Sequence, residues 1–136
     1  MKKRGFGEGK WNGVGGKVQL GESIEHAALR ETEEEIGVTA EESNMEPMGE
    51  LHFRSSFNEK LNWDVHVFFL HAWQGDPRES EEMRPQWYST NQLPFDHMWP
   101  DDKHWFPHVL AGEKIVGDFE FDLTGDDFLA ISIKTL

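Results

Sequence analysis

Residues 23–37, SIEHAALRETEEEIG, place three glutamates on one face of a predicted helix. Ser23 is a favourable N-cap residue and Gly37 a favourable C-terminal stop, so the pattern predicts a helix over residues 24–36. A helix turns by about 100° per residue, which brings Glu31, Glu34 and Glu35 onto one arc. The N-terminal half of that helix face is apolar, and the C-terminal half, which carries the three glutamates, is anionic.

Such a face needs something that offsets its charge. Like-charged helix pairs at these spacings destabilise a helix by about 0.2–0.5 kcal/mol each. A magnesium ion would relieve the repulsion, because it takes oxygen ligands and commonly joins carboxylates to substrate phosphates. Arg30, four residues before Glu34, could restrain that side chain. A solvated face rich in glutamate is the competing interpretation, and the helix alone leaves both open.

The helix lies inside a longer pattern of fixed spacings. Along the chain its fixed positions are Gly16, Glu22, Arg30, Glu31, Glu34, Glu35, Gly37 and Val38. This pattern resembles the Nudix box, Gx5Ex7REUxEExGU, with one departure: Thr32 stands where the family has a bulky aliphatic residue. We expect Thr32 to weaken local packing rather than chemistry. The length of the match makes a purely solvated face the poorer interpretation.

The resemblance to the Nudix family implies a magnesium-dependent hydrolase of a nucleoside diphosphate linked to another group, with Mn²⁺ as a possible substitute. The implied metal ligands are the carbonyl of Gly15 and the carboxylates of Glu31, Glu34, Glu35 and Glu82. The implied catalytic residues are Glu35, Glu31, Arg30 and Glu22. Glu35 is our first choice as general base and Glu31 the second, while Glu22 would orient Arg30 and the loop.

Segments outside the box extend the resemblance over nearly the whole chain. They are MKKRGFGEGKWNGVGGKVQ, DVHVF, ESEEMRPQW, LPFDHMWPDD, HWFP and GDFEF. They are similar to the animal Nudix hydrolases of oxidised purine nucleoside triphosphates, which implies conversion of 8-oxo-dGTP and 2-hydroxy-dATP to monophosphate and pyrophosphate. The implied substrate-binding residues are Lys2, Phe6, Asn12, Val14, Gly15, Gly16, Lys17, Phe53, Trp63, Met83, Trp99, Pro100, Asp101, Asp102 and Trp105.

Among these residues, Asn12, Asp101 and Asp102 are expected to read the edge of the base, and Trp99 to stack on its face. Two adjacent, partly buried carboxyl groups cannot both ionise cheaply, so one could donate a hydrogen bond while the other accepts. Exchange of that proton would accommodate two different oxidised purines. Without the resemblance, the two aspartates are typical of an N-cap pair that opens the next helix.

The charge distribution favours a small anionic ligand over a polymer. A net charge of -13 should repel nucleic acid and anionic lipid. Residues 1–20 are the exception, since they carry five basic residues against Glu8 alone. Lys2 and Lys17 could pair with phosphate oxygens. A solvated basic tail is the simpler interpretation of the segment, and for Lys2 the two are evenly matched.

The remaining pattern predicts an α+β fold, expected as a Nudix fold with a mixed central sheet in an α/β/α sandwich, in one domain over residues 1–136. Expected elements are an extended piece at 17–20, strands at 48–57, 63–73, 85–88, 114–123 and 128–133, turns at 58–62 and at Thr124-Gly125, and a helix at 101–110 bent or interrupted near Pro107. The family's usual first strand would precede Met1. We therefore expect a chain without it, with an exposed sheet edge and a smaller core.

Other classes are disfavoured. The chain contains no cysteine, which excludes disulfides, zinc thiolates and a thiol nucleophile and fits the cytoplasm, with mitochondrial or nuclear nucleotide pools as alternatives. No apolar run approaches the roughly 18 residues of a membrane span. We expect a monomer. A Nudix hydrolase of another nucleotide derivative stays open, because Val14, Trp63 and the turn at 55–62 are unusual for the base pocket. The intact carboxylates argue against a non-catalytic Nudix-fold binding module.

Overall fold

The acidic helix forms at the predicted residues. In a computed structural model that describes residues 1–136, helix α1 covers Ile24–Ile36. The hydroxyl of Ser23 accepts a hydrogen bond from the backbone N–H of His26 at 3.0 Å. Gly37 adopts the left-handed conformation, with φ of 72°, and its N–H donates to the carbonyl of Glu33. Both ends of α1 are therefore satisfied by the residues that mark them in the sequence.

Thr32, the residue that departs from the family pattern, is buried in α1. Its hydroxyl donates to the carbonyl of Ala28, one turn earlier, at 2.7 Å. The polar atom is therefore satisfied within the helix itself, as buried polar groups require. Its expected effect on local packing stays a prediction.

The chain divides into two compact units. The first comprises Met1–Glu46 with Leu70–Trp99, and the second comprises Pro47–Phe69 with Pro100–Leu136. Helix α1 belongs to the first unit, and nearly all of the sheet belongs to the second. The single domain over residues 1–136 stays a prediction. None of the helices has the length and apolar character needed to cross a membrane.

The sheet has four strands, and helix α2 accompanies it. The strands are β1, Met45–Arg54; β2, Trp63–Leu70; β3, Ile115–Phe121; and β4, Phe128–Thr135; α2 covers Asp102–Leu110. Their order across the sheet is β2-β1-β3-β4. β1 pairs with β3 in parallel, with Leu51 opposite Gly117, and β3 pairs with β4 in antiparallel fashion. The sheet is therefore mixed, as expected.

The core of the second unit comes from alternate residues of β3, from three buried residues of β1 and from one face of α2. Its buried members are Met48, Leu51, Phe53, Trp105, Val109, Ile115, Phe119 and Phe121. The core leaves no room for a side chain at Gly117, because a Cβ there would lie 2.9 Å from the ring of Phe119. The alternation in β3 follows from the two-residue period of a strand and places Asp118 and Glu120 away from the core.

Several predicted boundaries are corrected. β1 begins three residues earlier than expected and ends at Arg54, and β2 ends at Leu70 rather than Trp73. Helix α2 begins at Asp102 and continues through Pro107 without interruption. The last two strands and their turn are confirmed, and β4 extends to Thr135.

The strand expected at residues 85–88 is absent. Pro85 has no backbone N–H to contribute to a ladder. The aromatic residues that suggested a strand pack as side chains instead: Trp87 stacks on Trp73 with centroids 5.9 Å apart, and Tyr88 meets Trp11 edge-on at 5.4 Å. The β propensity of aromatic residues comes from the packing of their side chains against neighbouring residues. A loop can provide the same packing.

Candidate active site

Arg30 is the centre of an ion-pair network on α1. Its guanidinium donates two hydrogen bonds to the carboxylate of Glu22, at 2.7 and 3.0 Å. It also donates to Glu31 at 2.9 Å, to Glu34 at 3.1 Å and to the carbonyl of Lys17 at 3.1 Å. One side chain therefore ties three carboxylates and the preceding loop together, which offsets the repulsion that the sequence pattern implies.

The bidentate pair holds Glu22 firmly in its ionised form. The hydrogen bonds from Arg30 lower the pKa of Glu22 to about 2, and the same bonds raise the pKa of Arg30. A carboxylate that accepts two parallel bonds from a guanidinium also fixes its orientation. This contact supports the predicted role of Glu22 in orienting Arg30 and the loop.

Glu35 is the most buried carboxylate of α1, with 3% of its surface exposed. It accepts a hydrogen bond from the backbone N–H of Gly15 at 3.2 Å. Burial raises its pKa to about 7, the charges of Glu31 and Glu82 push in the same direction, and the Gly15 bond and the charge of Lys2 oppose them. A carboxyl group with a pKa near neutrality is well suited to take a proton from water at physiological pH.

Gly16 lets the loop approach α1 closely. A Cβ on Gly16 would lie 2.5 Å from the carboxyl carbon of Glu31 and 2.6 Å from one of its oxygens. Glu31 therefore occupies the space that any other residue at position 16 would fill. Together with the Gly15 bond to Glu35, this contact brings two carboxylates of the helix against one loop.

The donors of this site suit a divalent cation. Glu31, Glu34 and Glu35 provide carboxylate oxygens from one helix face, and the charge of Glu82 also acts on Glu35. As the side chains stand, no three acidic or histidine groups converge closely enough to hold an ion. Arg30 holds two of the carboxylates in this arrangement. The chemistry of the donor set, several carboxylate oxygens, fits a hard cation.

The raised pKa of Glu35 gives a stability prediction for the metal-free protein. The pKa of Glu35 is about 7 in the folded state and 4.5 ordinarily. The stability that protonated Glu35 contributes is therefore fully present below about pH 4.5 and is lost as pH rises through 7. We expect the melting temperature without metal to fall by roughly 5 °C between pH 5 and pH 8. Glu35→Gln should flatten most of that slope. Differential scanning calorimetry in chelator measures both, and an equal slope in the variant would contradict the assignment.

Residues 2–4 of the basic segment do not form a solvated tail, so for these residues that interpretation is wrong. Lys3 pairs with Glu79 at 2.8 Å, Arg4 reaches Glu82 at 3.4 Å, and Lys2 approaches Glu82 at 3.9 Å. Exposed pairs of this kind contribute about 0–1 kcal/mol each, so they guide the segment more than they stabilise it. Complementary runs of charge, KKR and ESEE, were the available signal in the sequence.

Trp99 packs against neighbouring side chains of the first unit, one of which is also a predicted substrate-binding residue. The ring of Phe6 stacks on it with centroids 5.0 Å apart and planes inclined by 28°. The ammonium group of Lys10 lies over the indole at 5.2 Å from the centroid, a favourable cation–π distance. Gly7 permits this packing, since a Cβ there would lie 3.1 Å from the indole. The structure thus brings Trp99 and Phe6 together, and their substrate-binding roles stay predictions.

The other predicted substrate-binding residues of the first unit include both exposed residues and a buried one. Asn12, Val14 and Lys17 are exposed, and the side chain of Asn12 accepts from the N–H of Gly13 at 2.9 Å. Met83 is buried, and its backbone bridges to Lys2. The substrate-binding roles of these residues stay predictions.

Asp101 and Asp102 are buried in the second unit, with 8% and 2% of their surfaces exposed. Burial raises the pKa of Asp101, while hydrogen bonds from the indole of Trp105, at 2.9 Å, and with the carboxyl of Asp102 lower it. A hydrogen bond between two carboxyl groups needs one proton, so the pair can hold a donor and an acceptor side by side. Asp101 stands at the N-cap position of α2, but its side chain makes no capping bond.

The remaining predicted contacts of the second unit lie in or beside its core. Phe53 is buried and stacks on Phe119 with centroids 5.2 Å apart. Trp63 meets Phe53 edge-on at 6.3 Å and is 37% exposed, and Pro100 is half-buried. Substrate binding by these three residues stays a prediction.

An open cavity of about 460 Å³ lies on the second unit. It is lined by polar residues of three strands, including His52, Arg54 and Asp118. None of the predicted catalytic, metal or substrate-binding residues lines it. We assign it no role in the chemistry.

Comparison with known proteins adds three findings. A family model described as NUDIX domain matches residues 1–109. The chain is 46% identical to the oxidized purine nucleoside triphosphate hydrolase of Mus musculus, over 98% of this chain and 83% of the mouse protein, and 49% identical to that of Danio rerio, over 89% and 76%. A crystal structure of a MutT protein from Bacillus halodurans matches with a TM-score of 0.78 and 27% identity, covering 93% of this chain and 83% of that one.

Proposed function

Because this chain belongs to the Nudix family, we propose that it hydrolyses oxidised purine nucleoside triphosphates to monophosphate and pyrophosphate. The observation that carries the catalytic half of the proposal is the buried Glu35, bonded to the loop at Gly15 and raised in pKa to about 7. The names of the mouse and zebrafish relatives support the substrate half. The buried Asp101 and Asp102 provide a physical means of reading an oxidised base.

Nudix hydrolases use divalent metal ions. We propose Mg²⁺ here, with Mn²⁺ as a substitute, held by Glu31, Glu34, Glu35, Glu82 and the carbonyl of Gly15. When bound, the ion neutralises phosphate charge and makes water a better nucleophile.

The chain's own residues supply the remaining steps. Glu35 accepts the proton of the attacking water, since its carboxyl group is buried beside the loop and bonded to the N–H of Gly15. Arg30 positions Glu31 and Glu34 through the bonds that it donates to them. Lys2, whose charge already acts on Glu35, faces the same site and can pair with phosphate oxygens.

The proposal is tested by pyrophosphate release from 8-oxo-dGTP, 2-hydroxy-dATP and dGTP, with and without Mg²⁺. We expect metal-dependent turnover that favours the two oxidised substrates. Turnover of dGTP at an equal rate would indicate a Nudix hydrolase of a different nucleotide. Binding without turnover, in protein that circular dichroism shows to be folded, would indicate a non-catalytic Nudix-fold module.

Asp101→Asn tests how the base is read. An amide fixes one donor and one acceptor, so the exchange of a proton between the two carboxyl groups is lost while the Trp105 contact is retained. We expect the ratio of kcat/KM for 8-oxo-dGTP and 2-hydroxy-dATP to change by about tenfold or more. Steady-state kinetics with both substrates measures it, and Asp96→Asn, an exposed aspartate, is the control. An unchanged ratio in Asp101→Asn would argue against shared protonation.

We further propose that the enzyme acts as a cytoplasmic monomer on small-molecule nucleotides, with mitochondrial or nuclear pools as other settings. The net charge of -13 supports a nucleotide rather than a nucleic acid polymer as its partner. The absence of cysteine is compatible with a reducing compartment.

A further inference from the structure

Residues 74–84 pass the C-terminal end of α1 and are fastened there. Thr39, just beyond the helix, exchanges two backbone hydrogen bonds with Gln74, at 3.1 and 2.7 Å. The N–H of Arg78 donates to the carbonyl of Ile36, the last residue of α1, at 2.9 Å. The first half of this segment is therefore hydrogen-bonded to the end of the helix that carries the metal carboxylates.

The side chain of Arg78 covers the glycine that terminates α1. A Cβ on Gly37 would lie 2.4 Å from Nε of Arg78 and 2.9 Å from its Cζ. The last turn of α1 contains no basic residue of its own. Arg78 therefore brings a positive charge to the negative end of the helix dipole from outside the helix, in space that only glycine leaves open.

The second half of the segment carries Glu82. Its backbone carbonyl accepts from the N–H of Lys3 at 2.9 Å, and the hydroxyl of Ser80 accepts from the N–H of Met83 at 3.1 Å. Glu82 thus lies four residues from Arg78, between one tether to α1 and another to the N-terminal segment. The carboxylate of Glu82 approaches Lys2 at 3.9 Å, and the charge of Glu82 contributes to the raised pKa of Glu35.

We propose that Arg78 is a positioning residue that fastens residues 74–84 to the C-terminal end of α1 and so sets where Glu82 lies against the metal carboxylates. The inference rests on the metal site of the proposed function. Glu82 is the carboxylate of that site that comes from outside the helix, so its position depends on contacts of this kind. Arg78 itself touches neither metal nor substrate.

A double-mutant cycle on Mn²⁺ binding tests the proposal. Mn²⁺ alone is titrated into the metal-free full chain and its Kd is read by electron paramagnetic resonance. We expect Arg78→Ala to raise the Kd by about tenfold, the usual scale for loss of a residue that orients a ligand. In a Glu82→Gln background the same change should have no further effect, because the ligand through which Arg78 acts is gone.

Glu81→Gln provides the matched background. Glu81 is the neighbour of Glu82, with an 87% exposed side chain, and it pairs with Arg4. Arg78→Ala should cost the full factor there. An equal loss in the Glu82→Gln background, or no loss in the native background, would overturn the proposal. If Arg78→Ala does not fold by circular dichroism, Arg78→Met keeps the stem over Gly37 and is carried through the same cycle.

The same samples separate this inference from the proposed function. Pyrophosphate release from 8-oxo-dGTP is measured against Mg²⁺ concentration. Arg78→Ala should shift the half-saturating Mg²⁺ concentration by about tenfold and leave kcat at saturating metal within about twofold. A native chain that binds Mn²⁺ with the expected coupling but hydrolyses none of the nucleotides would refute the proposed substrate and retain the role of Arg78.

Discussion

Glu35→Gln is expected to lower kcat for pyrophosphate release by about 10³-fold or more. The amide has nearly the same shape, so the contact with the N–H of Gly15 can persist. It can neither take a proton from water nor contribute a negative charge to the metal. The substitution removes both the proton acceptor and the negative charge of the same carboxylate. We therefore expect it to have the largest effect of any single substitution in α1.

Release of pyrophosphate from 8-oxo-dGTP at saturating Mg²⁺ measures the effect. Glu33→Gln is the matched control, because Glu33 lies on the same helix, is exposed and lies outside the predicted metal face. It should retain nearly all activity. If Glu35→Gln kept more than a tenth of the native rate, Glu31 would become the first choice as general base.

Gly16→Ala is expected to cost roughly 10²-fold in kcat/KM while the fold is retained. The added Cβ would lie within 2.8 Å of all three atoms of the Glu31 carboxyl group. The flexible end of that side chain can move aside, so little stability is lost. A displaced Glu31 no longer shares one loop with Glu35, and the bond from Arg30 to Glu31 is strained as well.

Gly13→Ala, in the same loop, is the control for this substitution. No atom outside its chain neighbours lies within 4 Å of the Cβ position at Gly13, so we expect nearly native activity. Steady-state kinetics and a thermal melt on both variants decide the matter. A Gly16→Ala protein that melts many degrees lower with unchanged kinetics per folded molecule would show that the glycine serves stability and not Glu31.

Local signals in the sequence were sufficient for α1. Ser23 and Gly37 mark its ends, and the structure begins and ends the helix between them. Gly16 is a fixed position of the same pattern, fifteen residues before Glu31, and the structure adds that the two lie side by side. The residues that cap a helix lie within a few positions of its ends, so they can be identified from the local sequence alone.

The strands were less predictable because tertiary contacts decide where a ladder ends. β2 stops at Leu70 although His71, Ala72 and Trp73 could continue an extended chain. Trp73 stacks on Trp87 instead, fourteen residues further along. Nothing near Trp73 in the sequence indicates that partner, so its β propensity was misleading.

Contacts distant in sequence supplied the parts of the site that no motif contains. The pairing of Lys3 with Glu79 joins residues 76 apart, and the Arg78 guanidinium reaches Gly37 from another segment. Complementary charge runs could have suggested the first contact, whereas no local signal indicates the second. The bond from Trp105 to Asp101, by contrast, is local, because it joins the N-cap residue of α2 to a residue only four positions later.

The bonds of Arg30 have a consequence for how the protein matures. A site of clustered carboxylates can depend on its metal ion for assembly, because the negative charges repel until the ion binds. Here an internal counterion already holds Glu22, Glu31 and Glu34. Synthesis of the folded chain and its loading with metal are then separate events. The first depends only on the polypeptide, and the second follows the free ion concentration wherever the enzyme is at work.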